Sequence, residues 1–425
     1  MLDIRVIRDN LEAVRAGAAL KRIEVDLDRL VVVDDERRRL IRSVEDGKAE
    51  QRKRGKALGQ LSDEQRPAEL AALGQLKSSI QAGESALAEV LVEYEALMLQ
   101  VPNIPAPEVP QGATDAENVL LREEGSIPEV DFERLDHVDL GQRLRILDIE
   151  RGVKLSGTRF YVLRGGGALL HRAVLNFAFD HMVSKGFEPF EVPLLVRDPA
   201  MVGTAYFPGG EDQAYRLEKD RLNLVGTAEV PLTAFHSGDI LDEAELPQRF
   251  VARSACFRRE AGAAGKDTRG LYRIHQFEKV EQVVILPADE EASREEHLAI
   301  LKHSEELLAA LELPYRVVNV CGGDLGQPQI QKYDIETWMP SRGAYGETHS
   351  ASRFHEFQAR RLGLRYRDGE GTIRFCHTLN NTVAASPRIL IPILELYQQS
   401  DGSVVVPDVL RPYMAGLERI EAPTV

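Results

Sequence analysis

The sequence predicts an α+β protein that has an N-terminal α-helical hairpin and a larger domain built on an antiparallel β-sheet with flanking helices. Two heptad patterns of apolar residues occupy most of the first hundred positions. A proline-rich segment follows them near residue 102. Beyond residue 120, strand-like segments follow one another with few helices between them, which is typical of an antiparallel sheet and not of a Rossmann fold.

The heptad patterns predict a long antiparallel coiled coil. The first runs from Leu30 to Leu61 and the second from Leu73 to Leu97, and the helix-breaking segment LSDEQRP lies between them. We expect helices at about residues 26–61 and 67–99, inside an N-terminal domain of residues 1–102. Each helix would be roughly 54 Å long at the α-helical rise per residue. Gly47 and Gly83 fall on the two seams, where small residues allow helices to approach closely.

Basic residues are concentrated on the first of these helices, although the chain has a formal net charge of -15. The second helix is acidic, so one interpretation is a solvated face with salt bridges between the helices. The alternative is a surface that binds a polyanion. The basic residues are Arg37, Arg38, Arg39, Arg42, Lys48, Arg52, Lys53, Arg54 and Lys56.

Cysteine content and hydropathy indicate a cytoplasmic protein without a membrane span. The three cysteines form no CxxC pair, which suits a reducing compartment and offers no zinc-ligand spacing. The N-terminus has neither a secretory signal nor an apolar run long enough for a transmembrane helix. We therefore expect a cytoplasmic location.

Residues 103–120 are expected to form a linker and residues 121–425 a second domain. This domain begins with a long amphipathic helix and a strand that contains Pro189 and Pro193, and proline in a strand favours a sheet edge. The segment RFCHTLNNTVAASPRILIPILE predicts a strand, a polar turn at Asn380 to Thr382, and a helix with Arg388 in its first turns.

The segment from Phe257 to Glu281 predicts a hairpin whose tip, residues 261–270, is too rich in glycine and alanine for regular structure. If its first strand extends to Glu260, Arg258 and Glu260 share one face, where a guanidinium can hold a phosphate. On the return strand, Phe277 can cover a planar base. A solvated ladder of charges is the alternative interpretation. Neither GxxxxGK[ST] nor GxGxxG occurs, so no glycine-rich nucleotide cradle is expected.

Several ordered segments together resemble the class II aminoacyl-tRNA synthetases, and among them the seryl-tRNA synthetase family. GFEPFEVP is similar to motif 1, FRRE through HQFEKVE to motif 2, and NNTVAASPR with ILIPILE to motif 3. TAEVPLT, YDIETWMP, EFQARR, HTLN and DGSVVVPDVLRPYM are similar to segments of the seryl enzymes. The resemblance covers almost the whole chain and implies a homodimer that uses ATP to activate L-serine and transfer it to tRNA(Ser) and tRNA(Sec).

The resemblance also implies a set of site residues. Catalytic roles fall on Arg258, Arg388 and Glu347. ATP binding falls on Arg258, Arg259, Glu260, Phe277, Glu347, Thr348, His349, Ser350 and Arg388. Mg²⁺ would be bound by Glu347 and Ser350, and no zinc is expected. Serine binding falls on Thr227, Ala228, Glu229, Arg258, Glu281, Asn380 and Thr382. tRNA binding falls on Arg37, Arg38, Arg42, Lys48, Arg52, Lys53, Arg54 and Lys56 of the helical hairpin and on Lys266 and Arg269 of the loop.

The chain departs from the family pattern at two places. Asn381-Thr382 stands where many members have Gly-Ser, and Thr348-His349 follows the metal-binding glutamate where serines are common. Two other functions are compatible with parts of the sequence. A synthetase-like paralogue could bind tRNA without catalysis, but it would not need the full set of arginines and carboxylates. A ligase acting on small molecules or carrier proteins would not need the helical hairpin.

Overall fold

The computed structural model describes residues 1–262 and 269–423. The chain divides into two compact units, one formed by Met1–Ala19 and Ile23–Pro102 and the other by Leu20–Arg22 and the chain from Asn103 onward. The first unit is helical, and the second combines helices with a large antiparallel sheet. The predicted α+β class is therefore confirmed. Within the described ranges, no helix is long and apolar enough to cross a membrane.

The first unit contains two short helices and then two long ones. They are α1 (Ile4–Asp9), α2 (Leu11–Leu20), α3 (Leu27–Ala57) and α4 (Arg66–Gln100). Asp26 caps α3 by accepting a hydrogen bond from the backbone N–H of Arg29, and Pro67 stands in the first turn of α4, where its missing N–H costs nothing. A short 3₁₀ turn, Leu58–Gln60, ends the first long helix before the connection begins.

Helices α3 and α4 pack as the predicted antiparallel coiled coil. Leu40, Val44 and Ile80 are buried along the contact. A Cβ atom added to Gly47 would lie 3.0 Å from Ile80, and one added to Gly83 would lie 3.0 Å from Val44. Each glycine thus receives a branched side chain of the opposite helix, so both lie where the two helices touch.

The second unit contains the remaining elements. Its helices are α5 (His137–Arg143), α6 (Ile149–Ser156), α7 (Gly166–Ser184), α8 (Asp198–Gly203), α9 (Glu229–Ala234), α10 (Glu290–Ala310), α11 (Phe357–Leu362) and α12 (Leu390–Leu396). Its strands are β1 (Val119–Glu124), β2 (Leu147–Asp148), β3 (Val162–Leu163), β4 (Glu188–Phe190), β5 (Leu195–Val196), β6 (Arg216–Leu217), β7 (Leu222–Leu224), β8 (Ile240–Asp242), β9 (Gln248–Phe257), β10 (Gln276–Leu286), β11 (Tyr315–Asn319), β12 (Gln331–Met339), β13 (Ala344–His355), β14 (Arg365–Arg367), β15 (Ile373–Phe375), β16 (His377–Ser386), β17 (Val404–Val405) and β18 (Arg419–Ile420).

Eight strands of the described chain form one sheet in the order β1-β11-β12-β13-β16-β10-β9-β4. All neighbouring pairs are antiparallel except β4, which runs parallel to β9. The strand that contains Pro189 is at the sheet edge, as predicted, because proline cannot donate to a second neighbour.

The two faces of the sheet carry different side chains. Helices α7, α10 and α12 contribute to one apolar core together with Val280 and Val284 of β10. Phe277, Lys279 and Glu281 alternate with these residues along the strand and point to the opposite face. Directly across from Glu281, β16 places Thr382. The first face supplies this core. The opposite face displays polar side chains around Phe277, and further along β10 it packs Val283 and Ile285 into a second apolar cluster with α9 and α11.

Two local expectations were wrong. Strand β16 runs unbroken through Asn380–Thr382, because Val383 and Ala384 are buried and Ala384 continues the pairing with β10. The turn follows at Pro387, so Arg388 precedes α12. Strand β9 ends at Phe257, and Glu260 has a φ of 50°, so Glu260 lies beyond the strand. Strand β1 begins at Val119, close to the predicted start of the second domain.

Because several histidines are buried, we expect the protein to lose stability in mild acid. Burial lowers the pKa of His297, His303, His349 and His355 from 6.5 to about 4 and that of His377 to about 3. Below pH 6.5 these histidines bind protons in the unfolded chain but stay neutral in the folded protein. The free energy of unfolding therefore falls as the pH falls towards 4.

Two buried carboxyl groups act in the opposite direction. Burial raises the pKa of Glu229 and of Asp334 to about 7, so these groups bind protons first in the folded state. Because five histidines oppose two carboxyl groups, we expect urea denaturation to give a smaller free energy of unfolding at pH 5 than at pH 7.5. An equal or larger value at pH 5 would contradict the assignment of these histidines as buried and neutral.

Candidate active site and nucleic-acid interface

A single cavity in the second unit brings together predicted residues from distant parts of the sequence. Arg258 and Glu260 come from the end of β9, Phe277 from β10, Glu347 from β13 and Arg388 from the turn after β16. Thr348, Lys279 and Thr382 complete the polar wall. An adjoining cavity of about 370 Å³ shares Arg258 and Glu260 and continues towards Tyr206 and Gly226. Arginine side chains line both cavities, so the lining suits anionic ligands better than cationic ones.

Arg258 stands at the junction of the two cavities. Its Nε donates to the carbonyl oxygen of Gly226 over 3.3 Å, and its guanidinium carbon lies 5.3 Å from the centroid of the Phe277 ring. The remaining guanidinium N–H groups are available to an anion. Glu260 is held by Arg273, whose NH1 lies 2.6 Å from Oε2. Both residues therefore face the same cavity although they lie outside the strand.

A second cationic group closes the far end of the cavity. The Arg388 guanidinium donates to the backbone carbonyl oxygens of Tyr272 (3.1 Å) and Glu347 (3.0 Å) and lies over the Tyr272 ring at 4.4 Å. Arg342 lies over the same ring at 4.2 Å. Tyr272 is thus flanked by two guanidinium groups, which gives this end of the cavity a positive potential that suits phosphate oxygens.

The residues around Glu347 fit a hard divalent cation such as the Mg²⁺ that the sequence motifs imply. Glu347 and Ser350 offer oxygen ligands, and Asp334 lies opposite Ser350 on the neighbouring strand. Asp334 Oδ1 is buried and has no hydrogen-bond partner among the described residues. Burial and the adjacent Glu347 raise the pKa of Asp334 to about 7, with Lys332 opposing the shift. A bound cation would relieve this crowding of carboxyl groups.

The pKa of Glu347, like that of Asp334, is set by burial and nearby charges that act in opposite directions. Burial favours the neutral acid, but Arg388, Lys332 and Arg258 outweigh it and hold the pKa below the ordinary value of 4.5. Glu347 is therefore anionic near neutral pH. In the part of the chain that the structure describes, no group of three or more His, Cys, Asp or Glu side chains is arranged to hold a metal ion. Any cation here would need further ligands from a bound substrate.

Buried polar side chains cluster on the face of β10 and β16 that carries Phe277, and we call this cluster the amino-acid pocket after its predicted role. Thr227 Oγ1 donates to Glu281 Oε2 over 3.2 Å and accepts from the backbone N–H of Glu229 over 3.1 Å. The Lys279 ammonium group contacts the same Glu281 oxygen and donates to Thr382 Oγ1 over 3.4 Å. Glu281 and Thr382 are direct cross-strand neighbours. Three of the predicted amino-acid-binding side chains, Thr227, Glu281 and Thr382, therefore meet around Lys279.

Glu229 closes the pocket from the first turn of α9. Its carboxyl oxygens accept from the Tyr206 hydroxyl (3.0 Å) and the Gln358 side-chain amide (2.8 Å). Burial and the nearby Glu281 raise the pKa of Glu229 to about 7, although both hydrogen bonds oppose the shift. A ligand ammonium group beside Glu229 would favour the anionic form of this carboxyl group.

Some predicted residues lie outside the two cavities. The His349 ring is buried; Nδ1 meets Thr348 Oγ1 at 2.8 Å, and Nε2 meets the carbonyl oxygen of Val383 at 3.0 Å. This ring is a wall residue with both nitrogens occupied. The Arg259 side chain packs against Tyr215, and its guanidinium carbon lies 5.9 Å from that ring. Ala228 and Asn380 are buried and do not line either cavity.

Two tRNA-binding residues were predicted in the loop between β9 and β10, and the structure describes one of them. Lys266 lies outside the described residues. Arg269 binds Asp136 at 2.5 Å and Asp139 at 2.6 Å through its two terminal nitrogens. Its guanidinium is thus engaged by two carboxylates at the N-terminus of α5.

The first unit separates its basic residues into two groups. Five of them are paired with acids: Arg37 and Arg38 with Asp34, Arg39 with Glu36, Lys48 with Glu84 and Arg54 with Glu69. The pairs of Lys48 and Arg54 join the two helices, so the interpretation as salt bridges between helices holds for them. Arg42, Arg52, Lys53 and Lys56 are exposed and have no acidic partner among the described residues.

Sequence reasoning missed several residues of the site. Lys279 could have been found, because it lies on the same strand face as Phe277 and Glu281 at a spacing of two. Tyr206, Tyr272 and Arg273 gave no comparable signal, since each reaches the site from a loop.

Comparisons with known proteins agree with this geometry. Residues 1–105 match the family described as "Seryl-tRNA synthetase N-terminal domain", and residues 214–397 match "tRNA synthetase class II core domain (G, H, P, S and T)". The chain is 46% identical to a protein named Serine--tRNA ligase from Deinococcus radiodurans, over 100% of both chains. It is 43% identical to one from Exiguobacterium sibiricum, over 99% of this chain and 100% of that one.

Solved structures give the same result at the level of the fold. The chain superposes on seryl-tRNA synthetase from Pyrococcus horikoshii complexed with ATP with a TM-score of 0.92, at 36% identity and 100% coverage of both chains. A cytoplasmic serine-tRNA ligase from Naegleria fowleri in complex with AMP follows with a TM-score of 0.88, 31% identity and coverage of 100% and 99%. Full-length identity well above 30% and the two matched domains confirm the predicted family: the chain belongs to the seryl-tRNA synthetases, which are serine–tRNA ligases built on a class II core.

Proposed function

We propose that this enzyme activates L-serine with ATP to form seryl-adenylate and pyrophosphate, and then transfers the seryl group to the 3′ end of tRNA(Ser). The convergence of Arg258, Phe277, Glu347, Thr382 and Arg388 on one cavity is the observation that carries the proposal. Phe277, Glu347 and Thr382 lie on three different strands, and Arg258 and Arg388 lie in the segments that follow β9 and β16, so their meeting is a property of the fold.

The first step requires orientation and charge neutralisation more than proton transfer. A serine carboxylate is already a nucleophile at neutral pH, and its attack on the α-phosphate releases pyrophosphate as the leaving group. Arg258 lines both cavities, so one guanidinium could hold the carboxylate and the α-phosphate together. Arg388 would hold the far phosphates.

The adenine and the metal have sites of their own in this proposal. Phe277 offers an aromatic face to the base, and Glu260 offers a carboxylate to the exocyclic amino group. Glu347 and Ser350 would hold Mg²⁺, with Asp334 behind them. When bound, the ion would neutralise phosphate charge and help to orient the triphosphate.

The second step uses the helical hairpin. The unpaired basic residues of α3 are suited to binding RNA phosphates, because their charges are not already compensated by carboxylates. We therefore narrow the predicted tRNA contacts on this helix to Arg42, Arg52, Lys53 and Lys56. Charging of tRNA(Sec) stays a prediction, to be tested by aminoacylation of that transcript. We place the enzyme in the cytoplasm, because tRNA and ATP are its substrates.

The competing function is a synthetase-like paralogue that binds tRNA without catalysis. The presence of the arginines and carboxylates of both cavities favours the enzyme, because a binding module would not need them in one cavity. Serine-dependent exchange of pyrophosphate into ATP separates the two functions.

We expect the purified protein to catalyse ATP–pyrophosphate exchange with serine but not with alanine. Arg258→Ala should lower kcat/KM for exchange by at least roughly a hundredfold, because a preorganised positive charge at the reacting phosphate is lost. Arg172→Ala, on an exposed position of α7, is the matched control and should retain wild-type exchange. Exchange by Arg258→Ala within a few-fold of wild type would refute its role, and no exchange by the wild type would favour the paralogue.

Neutralising the unpaired basic patch should weaken tRNA charging without affecting serine activation. In the triple variant Arg52→Gln, Lys53→Gln and Lys56→Gln, the slope of log K for tRNA binding against log salt should fall by about 2 to 3. Lys77→Gln on α4 is the control for general charge loss. If the triple variant binds and charges tRNA with the wild-type salt dependence, α3 is not the tRNA-binding surface.

The homodimer implied by the sequence motifs can be tested separately. Strand β4 pairs with β9 alone among the described strands, so its other edge is open. Phe235, which is 57% exposed, packs edge-on against Phe190 of this strand at 5.1 Å. We expect light scattering to give about twice the chain mass of 47.4 kDa and Phe235→Glu to shift the mass towards one chain. A monomeric wild type would contradict this interface.

A further inference from the structure

We propose that Lys279 is a positioning residue that makes the amino-acid pocket selective for a hydroxyl group. The inference rests on the proposed function and deepens it, because it says how the pocket would tell serine from alanine. It does not follow from the sequence motifs, which left Lys279 without a role.

Lys279 is a buried cation placed between two predicted ligand contacts. It is 7% exposed, and its neighbours Glu281 and Thr382 are 1% and 7% exposed. The Lys279 ammonium group touches Glu281 Oε2 and donates to Thr382 Oγ1 over 3.4 Å. Since Glu281 and Thr382 are opposite each other on β10 and β16, one ammonium group holds both side chains in fixed positions.

The contact with Thr382 determines which hydrogen-bonding role its hydroxyl group can play. A lysine ammonium group only donates, so Thr382 Oγ1 must accept from it. The hydroxyl hydrogen of Thr382 is then left to donate elsewhere, and no acceptor for it is found in the part of the chain that the structure describes. Lys279 thereby turns Thr382 into a donor that faces the cavity.

The same cation orients the carboxylate of Glu281. Its Oε2 receives both Lys279 and the Thr227 hydroxyl, whereas Oε1 has no donor among the described residues. Glu281 Oε1 is therefore an unused acceptor on the residue directly across the strands from Thr382. A ligand hydroxyl group has one hydrogen to donate and lone pairs to accept, so it matches this pair.

Alanine satisfies neither group. With a methyl group in this place, a buried acceptor and a buried donor would both stay unpaired, and such losses discriminate between ligands far more strongly than a difference in volume. Without Lys279, Thr382 could turn its hydrogen towards Glu281, and the two groups would satisfy each other. The pocket would then no longer require a ligand hydroxyl.

The test compares Lys279→Met and Lys279→Gln with wild type in ATP–pyrophosphate exchange, with serine and with alanine as substrate. Methionine keeps the length of the stem and removes both the charge and the donor, whereas the glutamine amide keeps a donor for Thr382. Lys302→Met, at an exposed position on α10, is the control and should behave as wild type. Circular dichroism of each variant checks that it is folded.

We expect Lys279→Met to raise KM for serine by about tenfold or more and to lower the serine-to-alanine ratio of kcat/KM by a similar factor, with KM for ATP unchanged. Lys279→Gln should raise KM for serine as well but retain more of the ratio. Lys279→Gln also tests the proposal if the methionine variant does not fold, since the glutamine amide can still donate to the buried carboxylate of Glu281.

Two results would overturn the inference. One is a serine KM that stays within about threefold of wild type in the folded variants. The other is an equal loss of kcat/KM for serine and alanine, which would make Lys279 a merely structural counter-ion. A wild-type protein without serine-dependent exchange would refute the proposed function instead, so the two failures are distinguishable.

Discussion

The second unit depends on one constraint: the face of β10 that carries Phe277, Lys279 and Glu281 holds charged side chains in a largely closed space, and each charge there needs a partner. Arg258, Lys279 and Arg388 meet Glu281, Glu347 and Glu260 in or beside one cavity. A buried charge without a partner would cost several kcal/mol. The residues that would bind substrates are therefore also the residues that make this face of the sheet stable.

This constraint leaves some groups incompletely satisfied, and these groups mark the candidate site. Asp334 and Glu229 have pKa values raised to about 7 by burial and by a neighbouring carboxyl group. In both places the ligand expected there is positive, a metal ion in one case and an ammonium group in the other. Perturbed carboxyl groups in a cavity are typical of functional sites for this reason.

Charges in the first unit follow a different rule, because they are exposed to solvent. Lys48 and Arg54 pair across the two helices, and exposed pairs of this kind contribute little stability but fix which groups remain free. Since their acids are in use, the remaining positive potential of α3 comes from the unpaired residues near its C-terminal end, among them Arg52 and Lys56. In both units, charged residues with an ion-pair partner are therefore interpreted as structural, and those without one are candidate binding residues.

The sequence by itself determined the α+β class, the helical hairpin, the strand hairpin of β9 and β10 and the edge strand with Pro189. These follow from local patterns: apolar periods of 3.5 and 2, glycine and proline at breaks, and proline's missing donor. The resemblance to known motifs supplied Arg258, Phe277, Glu347 and Arg388 as candidates.

Only the tertiary structure decided which candidates meet. His349 lies two residues after Glu347, yet the strand turns its ring into the wall, where both nitrogens are occupied. Arg269 looked available and is held by two aspartates of α5. Lys279 was given no role by the sequence motifs, and in the structure its ammonium group contacts both Glu281 and Thr382. Such outcomes depend on pairing between strands far apart in the chain, here β10 with β16, and no local pattern contains the partner of a side chain.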